Sequence, residues 1–304
     1  MFKRLLVPLD GTILAEAVLP VAKSLAKQFN ATIILFHAIE RGAPNRIHGQ
    51  RHITKPDEGS EYLNKIAENL TQAGVIVETD VHSTQSRDIT QSIIDHIEDL
   101  KADIVLLCAH GHGGLRDFFL GNVAQQVIVH GKTPVLFVRT EEHKTEKPFE
   151  CNKVLLPLDG TPAHEPAINY AVELAGACGK TIHLLTVVPT VGTLYAERAA
   201  TRQLLPSTMN AVLDLAEQGA VSYLEDVIKQ ISNKGFQITA EVLRGEVASV
   251  ILSTIDRLNI DAIVLATHGR TSTDAFWSAS ITPKVLAKSV KPVLLVKATG
   301  EEVR

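Results

Sequence analysis

The stretch LLVPLDGT at residues 5–12 returns almost unchanged as VLLPLDGT at residues 154–161. In both places an apolar run ends at Pro-Leu-Asp-Gly-Thr, which is typical of a buried strand that breaks into a polar turn. Two further matches follow in the same order, ADIVLLCAHGHGG with IDAIVLATHGRTS and TPVLFVR with KPVLLVK. A repeat of this length predicts two domains that share one fold.

Each copy alternates short runs of Val, Ile and Leu with segments of helical pattern. Apolar runs without alternation are typical of strands buried on both faces, and helices between them imply parallel pairing. With right-handed crossovers, this order predicts an α/β fold with a doubly wound parallel sheet in each copy. We therefore predict domains at residues 1–141 and 150–304, joined by the charged linker TEEHKTEKPFECN at 140–152.

The second copy is longer than the first between its first and fourth strands. Asp10 and Asp159 lie 149 positions apart, whereas His110 and His268 lie 158 apart, so nine residues are added. The stretch 192–219 has no counterpart of similar length, and we predict the insertion there. Its pattern is helical and amphipathic, which suits a lid over the site or a surface for the partner domain.

Composition limits the classes of function. The 304 residues are 45% hydrophobic and 21% charged, with a net charge of -4. This balance gives no basic surface for nucleic acid or for an anionic membrane, and no apolar run approaches the roughly 20 residues of a membrane span. Three cysteines without CxxC spacing are typical of reduced intracellular thiols. We predict a cytoplasmic protein that binds neither nucleic acid nor membrane.

The carboxyl ends of the strands are the candidate site. Ligands of a doubly wound sheet bind outside these ends, where the winding direction switches, and Asp10 and Asp159 follow the first strand of each copy. After each fourth strand a glycine-containing loop leads into a helix, a geometry that lets a phosphate approach backbone N–H groups. For Asp10 the alternative is a local role as the residue that caps the helix after the turn.

These features resemble those of the universal stress protein family, and the resemblance covers both halves nearly end to end. It rests on the PLDGT strand ends, the AHGHGG and THGRTS loops, and the closing TPVLFVR and KPVLLVK strands. The resemblance implies that each domain has a five-stranded parallel sheet in the order 3-2-1-4-5. This is the adenine nucleotide alpha hydrolase-like fold. It also implies ATP binding in members with the pattern G-x2-G-x9-G-[ST] after the fourth strand; other members lack the pattern and bind no nucleotide.

Neither copy matches that pattern at every position. In the first copy Gly111 and Gly121 match, whereas Cys108 stands at the first glycine and Asn122 at the hydroxyl position. Asn122 retains an amide that can cap a helix and donate a hydrogen bond.

The second copy departs in other places. Gly269 and Ser280 match, whereas Ala266 and Ala279 replace the first and third glycines. A methyl group at Ala279 would approach the place of phosphate oxygens, while Arg270 adds a cation to the loop.

The resemblance implies a role for each matching position. Asp10 and Asp159 would lie beside the ribose or a phosphate-bound Mg²⁺, Ala38 and Val187 would contact the adenine, and the loop residues would hold the phosphates. The predicted ATP-binding residues are Pro8, Leu9, Asp10, Ala38, Cys108, His110, Gly111, Gly121, Asn122, Val123, Asp159, Val187, Ala266, His268, Gly269, Ala279 and Ser280.

The sequence predicts no catalytic residue and no metal site built by the protein. His110 and His112 stand two residues apart on a loop, and such a pair is typical of a shaped or solvated loop. A nucleotidylyltransferase or an ATP pyrophosphatase would need HxGH or SGGxDS at the end of the first strand, and neither motif stands there. We also find no nucleophile with a base partner. The prediction is therefore a binding protein rather than an enzyme, although slow hydrolysis of bound ATP is compatible with it.

Two functions from different classes remain. The first is a cytoplasmic stress-response protein that binds and senses ATP, and the alternative is a dimerising scaffold whose degenerate sites bind no nucleotide. In the family, as the resemblance implies, the final strands of two domains pair across a two-fold axis, which removes exposed sheet edges. TPVLFV and KPVLLV can pair within one chain or between the chains of a homodimer.

Overall fold

The computed structural model describes most of the chain as alternating strands and helices. The described residues are 2–39, 46–47, 50–51, 53–83, 89–111, 118–119, 127–128, 131–139, 149–178, 181–193, 206–232, 235–267 and 281–299. Residues 140–148 of the predicted linker and 194–205 of the predicted insertion lie outside these ranges.

Both halves follow the predicted succession of elements. The first half contains β1 (Arg4–Pro8), α1 (Ile13–Glu16), α2 (Leu19–Phe29), β2 (Thr32–Ile39), β3 (Arg46–Ile47), β4 (Gln50–Arg51), α3 (Pro56–Gln72), β5 (Ile76–Ser83), α4 (Ile89–Asp99), β6 (Ile104–Gly111), β7 (Phe118–Phe119) and β8 (Val135–Arg139). The second half contains β9 (Lys153–Pro157), a 3-10 turn (Pro162–His164), α5 (Pro166–Cys178), β10 (Thr181–Val188), α6 (Pro206–Ile231), β11 (Gln237–Arg244), α7 (Val247–Leu258), β12 (Ala262–Thr267), α8 (Ile281–Lys288) and β13 (Val293–Lys297). None of these described helices has the length and apolar composition needed to cross a membrane.

The strand order is the same in the two halves. It is β5-β2-β1-β6-β8 in the first and β11-β10-β9-β12-β13 in the second, and every neighbouring pair within a half is parallel. With the short β3, β4 and β7 left out, each half reads 3-2-1-4-5 in chain order. The predicted α/β doubly wound parallel sheet is therefore confirmed for both halves.

The two predicted five-stranded sheets are joined into one, because the final strands of the two halves pair with each other. β8 and β13 run antiparallel, and Leu136 lies opposite Leu294. These two leucines occupy equivalent positions of the repeat, so a local two-fold relation passes between them. The pairing satisfies backbone groups that two separate sheets would expose at those edges, and it makes one continuous sheet of the two halves. The final strands thus pair within the chain.

The core explains why the strands lack polar alternation. β1 and β9 share a pattern of three buried residues between partly buried ends, since helices cover both faces of the sheet. Alternate residues of a strand point to opposite faces, and Leu5 and Leu6 accordingly belong to different buried clusters. The cluster around Leu5 includes residues of both halves, and the Phe2 ring lies 6.0 Å from the Tyr170 ring of α5. The hydrophobic core is therefore continuous across the junction.

Two cationic side chains link the halves at equivalent positions. Arg139, the last residue of β8, donates from Nη1 to the carbonyl of Ala287 in the last turn of α8 at 2.9 Å. Lys297, the last residue of β13, donates from Nζ to the carbonyl of Gly131 at 3.4 Å. A cation at the carboxyl end of a helix is favourable, because the last carbonyls lack partners within the helix. The junction is thus held by polar contacts as well as by strand pairing.

The extra residues of the second half lie between its second and third strands. There are 48 residues between β10 and β11 but 36 between β2 and β5, whereas 17 residues separate β11 from β12 and 20 separate β5 from β6. The net difference is the nine residues expected from the motif spacing. Part of the addition lengthens a helix, because α6 has 26 residues and its counterpart α3 has 17. Met209 and Leu213 in the first turns of α6 are buried beside Val191.

Candidate functional site

The predicted site residues of each half converge on one edge of the sheet. β1 and β6 are parallel neighbours, with Leu5 opposite Ile104, so Asp10 and Gly111 both lie at the carboxyl edge of the first half. β9 and β12 are paired in the same way, and Asp159 lies at the equivalent edge of the second half. The structure therefore brings together the strand ends that the sequence predicts to form two crevices.

Asp10 organises the turn that follows β1. Its Oδ1 accepts hydrogen bonds from the Thr12 backbone N–H at 2.8 Å and from the Thr12 hydroxyl at 2.6 Å. The Thr12 hydroxyl in turn accepts from the Ala15 N–H at 3.1 Å and so caps α1. Gly11 between them has a φ of 86°, a conformation that favours glycine. The cap of α1 is thus Thr12, and the helix-capping role predicted as the alternative for Asp10 is wrong; the local task of Asp10 is to fix the turn through Oδ1.

Asp159 repeats this turn and adds a partner. Its Oδ1 accepts from the Thr161 N–H at 2.9 Å and from the Thr161 hydroxyl at 2.7 Å, and Gly160 has a φ of 80°. His164 Nδ1 lies 2.8 Å from the same oxygen. Burial by itself raises the pKa of the Asp159 carboxyl, but the hydrogen bonds from His164 and Thr161 lower it to about 2. Asp159 is therefore firmly ionised and more heavily hydrogen-bonded than Asp10, because Ala15 stands at the position of His164 in the first half.

The residues under the turns were not identified from the sequence. In the first half the His37 ring, nearly fully buried, hydrogen-bonds through Nδ1 to the Leu9 carbonyl at 2.6 Å. Together with the bond from the Leu9 N–H to the Phe36 carbonyl at 2.8 Å, this fixes Pro8 and Leu9 against β2. A lone histidine near the end of a buried strand was the signal for it in the sequence.

The second half has threonines where the first has other residues. Thr186 replaces His37, and Thr267 ends β12 where the first half has Ala109. Both hydroxyls are buried, and neither has a hydrogen-bond partner among the described residues. A buried hydroxyl without a partner is unfavourable. The Thr267 hydroxyl, at the end of β12, is therefore available to hydrogen-bond a ligand.

The predicted adenine contacts lie near the carboxyl ends of the second strands. Ala38 is opposite His82 of β5, and Val187 is opposite Leu243 of β11. Both side chains are half-buried, which leaves part of each accessible. His82 also lies against His96, with ring centroids 4.1 Å apart, so an imidazole stands opposite Ala38 where a leucine stands opposite Val187.

The first positions of the glycine pattern lie inside the fourth strands. Cys108 of β6 lies opposite Val138 of β8, and Ala266 of β12 lies opposite Val296 of β13. Both are half-buried, so a small residue fits there by packing. The end of β6 also pairs with β7 in the antiparallel sense, His110 with Phe119 and Gly111 with Phe118.

The remaining predicted residues belong to the loops after the fourth strands and lie outside the described residues. They are Gly121, Asn122, Val123, His268, Gly269, Ala279 and Ser280. Their part in holding phosphate stays a prediction. Across the described ranges, no group of three or more His, Cys, Asp or Glu side chains could hold a metal ion.

Comparisons with known proteins agree with the repeat. The model of the universal stress protein family matches residues 1–139 and again residues 150–297. A universal stress protein of Methanocaldococcus jannaschii is 26% identical over 146 residues, which cover 46% of this chain and 83% of that protein.

Two solved structures resemble the whole chain. The crystal structure of a universal stress protein from Archaeoglobus fulgidus aligns with a TM-score of 0.71 at 17% identity, covering 99% of this chain and 98% of that one. A protein of unknown function from Pseudomonas aeruginosa aligns with a TM-score of 0.65 at 18% identity, covering 98% of this chain and 93% of that one. At these identities the likeness shows the fold, including the arrangement of the two halves in one chain.

Proposed function

This chain belongs to the universal stress protein family, with one family domain in each half, and we propose that it is a stress-response protein that binds and senses ATP rather than an enzyme. One observation carries the proposal. In both halves a carboxylate fixed in a tight turn after the first strand shares the carboxyl edge of the sheet with the end of the fourth strand. This is where nucleotides bind in doubly wound folds.

The first domain is the stronger candidate for the nucleotide. Its loop retains Gly111 and Gly121, and Asp10 accepts from Thr12 without the additional histidine donor that Asp159 receives. An Asp10 carboxylate with fewer donors is better able to accept a ribose hydroxyl. Ala38 would provide the small apolar surface that lets a purine approach β2.

The single carboxylate of Asp10 can bind Mg²⁺ only when phosphate oxygens of the nucleotide supply further ligands. Mg²⁺ in nucleotide sites is commonly held by one or two carboxylates together with phosphate oxygens, and Asp10 supplies one carboxylate at the edge of the first crevice. In this alternative to the ribose contact, Asp10 would hold the ion, which would neutralise phosphate charge when bound. The protein's own residues would position the nucleotide by hydrogen bonds and packing.

A thermal-shift titration of the full chain with Mg-ATP tests the proposal. Ligand that binds the folded state raises the unfolding temperature by mass action. We expect a saturable rise for the native chain, a much smaller rise for Asp10→Asn, and a nearly native rise for the matched variant Asp159→Asn. No rise at millimolar Mg-ATP with the native chain would refute nucleotide sensing.

The scaffold is the second candidate, and the use of both carboxylates in their own turns favours it. Asp10 and Asp159 each have a structural task that requires no ligand. We also propose that the protein is cytoplasmic and forms a homodimer. Because β8 and β13 already pair within the chain, the homodimer would use a surface other than the final strands. Light scattering of the purified chain measures its mass, and a mass of one chain would refute the homodimer.

A further inference from the structure

A groove between α2 and α3 forms a cavity in the first half. It has a volume of about 750 Å³, which lies within the range of small-molecule sites. Because α2 connects the carboxyl end of β1 to the start of β2, the groove runs along the helix away from the candidate nucleotide site. Its apolar wall is formed by Leu19, Pro20, Ile66 and Leu70.

Two lysines give the groove a positive charge. Lys23 and Lys27 lie one turn apart on α2 and both line the cavity. Within the described part of the chain, neither ammonium group has an ion-pair or hydrogen-bond partner. Ser24 between them is engaged, since its hydroxyl donates to the Phe149 carbonyl at 2.5 Å. The acidic residue of the wall, Glu16, accepts a hydrogen bond from the Tyr62 hydroxyl at 3.1 Å.

The repeat shows that the fold does not require these lysines. α5 is the counterpart of α2, and it carries Val172 and Gly176 at the positions of Lys23 and Lys27. Lysine stems often cover apolar surface while the charge stays in water, and this is the simplest reading of one such residue. Here two unpaired ammonium groups line one cavity beside its apolar wall, and Lys23 is half-buried. That combination indicates a ligand with an apolar body and an acidic group.

We propose that this groove binds a small anionic amphiphile, an acyl chain or aromatic ring system that carries one acidic group. The apolar body lies against Leu19, Ile66 and Leu70, and the acidic group lies between Lys23 and Lys27. Burial of the apolar body supplies affinity, and charge-assisted hydrogen bonds from the lysines select an anion over a neutral or cationic analogue. The proposal does not rest on ATP binding, because none of the predicted nucleotide-binding residues lines this groove.

Two fluorescent probes that differ in one group test the proposal. 1-Anilinonaphthalene-8-sulfonate is an aromatic anion, and N-phenyl-1-naphthylamine is its neutral analogue. Titrated into the full chain, the anion is expected to bind once per chain, to bind more tightly than the neutral probe, and to be displaced by myristate. Saturating Mg-ATP is expected to leave its affinity unchanged.

Charge reversal separates the lysines from general hydrophobic binding. We expect Lys23→Glu with Lys27→Glu to weaken binding of the anion by about tenfold or more and to leave the neutral probe unchanged, since a tenfold loss needs only one strong charge-assisted contact. The control Lys65→Glu with Lys132→Glu makes the same change of net charge at exposed positions that do not line the groove. Asn69→Trp, at an exposed position in the wall, is expected to weaken both probes by filling the cavity.

The outcomes that overturn the proposal are distinct from unfolding. Partly unfolded proteins bind the anionic probe more strongly, so a loss of binding in a variant cannot come from a loosened fold. The absence of saturable binding to the native chain refutes the proposal. So does an equal loss in the control variant, an equal loss of the neutral probe on charge reversal, or one-for-one displacement of the probe by ATP.

Discussion

Removing the two equivalent threonine hydroxyls tests how the Asp-Gly-Thr turns are built. Thr12 is 1% exposed, and its hydroxyl both donates to Asp10 and accepts from the Ala15 N–H. Thr161 is exposed, and its hydroxyl donates to Asp159, which keeps the Thr161 N–H and His164 as other donors. Valine has nearly the shape of threonine and suits the extended backbone at both positions. The twin substitutions therefore differ mainly in the hydrogen bonds that they remove.

The expected free-energy costs follow from those bonds. Loss of an N-cap costs about 1 kcal/mol, and loss of a buried hydrogen bond to a carboxylate costs about 1 kcal/mol or more. We therefore expect Thr12→Val to lower the free energy of unfolding by about 2 kcal/mol. Thr161→Val removes one exposed bond, and we expect a cost of about 0.5 kcal/mol.

Urea unfolding followed by far-ultraviolet circular dichroism measures both costs, with native chain and variants compared at one protein concentration. The transition midpoint is the readout, because it is less sensitive than the extrapolated free energy to departures from two-state unfolding in a chain with two domains. An equal or larger loss with Thr161→Val than with Thr12→Val would refute the reasoning that the capping bond of Thr12 dominates the first turn.

Two further predictions concern the junction and Asp159. Because Leu136 and Leu294 are buried, equivalent and opposite each other, each change to alanine should cost about 2–4 kcal/mol in urea unfolding; a cost near zero for either would contradict a shared core at the junction. The pKa of the Asp159 carboxyl in the folded chain, about 2, lies below its ordinary value of 3.8, so this carboxyl stabilises the fold above about pH 4 and the contribution is lost as the pH falls toward 2. In an NMR titration His164→Ala should raise the Asp159 pKa, and an unchanged pKa would show that Thr161 alone controls it.

Much of the fold could be predicted because its signals are short-range. Runs of Val, Ile and Leu that end in Asp-Gly-Thr marked β1 and β9, and the turn chemistry at Asp10 and Asp159 followed from the same letters. The matching order of motifs predicted the equal strand order, since equal patterns of buried strands and helices pack in equal ways. The number of added residues followed from counting motif positions, and their place between β10 and β11 followed from the stretch that has no counterpart in the first half.

The candidate site was predictable only in part. The sequence placed Asp10 and Gly111 at one edge, because parallel strands share the direction of their carboxyl ends. The contact between His37 and Leu9 joins residues of adjacent strands, and no local pattern reports it. The donor from His164 to Asp159 was also missed, because one residue in a turn gives no signal of the atom that it faces.

The sequence by itself determined the duplication, the α/β class, the direction of the strands and the residues at their carboxyl ends, since these depend on local periodicity and turn chemistry. Only the tertiary structure decided that β8 pairs with β13 in the same chain, that Asp103 and Asp261 each accept two backbone N–H groups at the start of the neighbouring first strand, and that two lysines line the groove between α2 and α3. These features join residues that are distant in the chain. Their free energy depends on which surfaces meet, and a pattern of neighbouring residues does not contain that information.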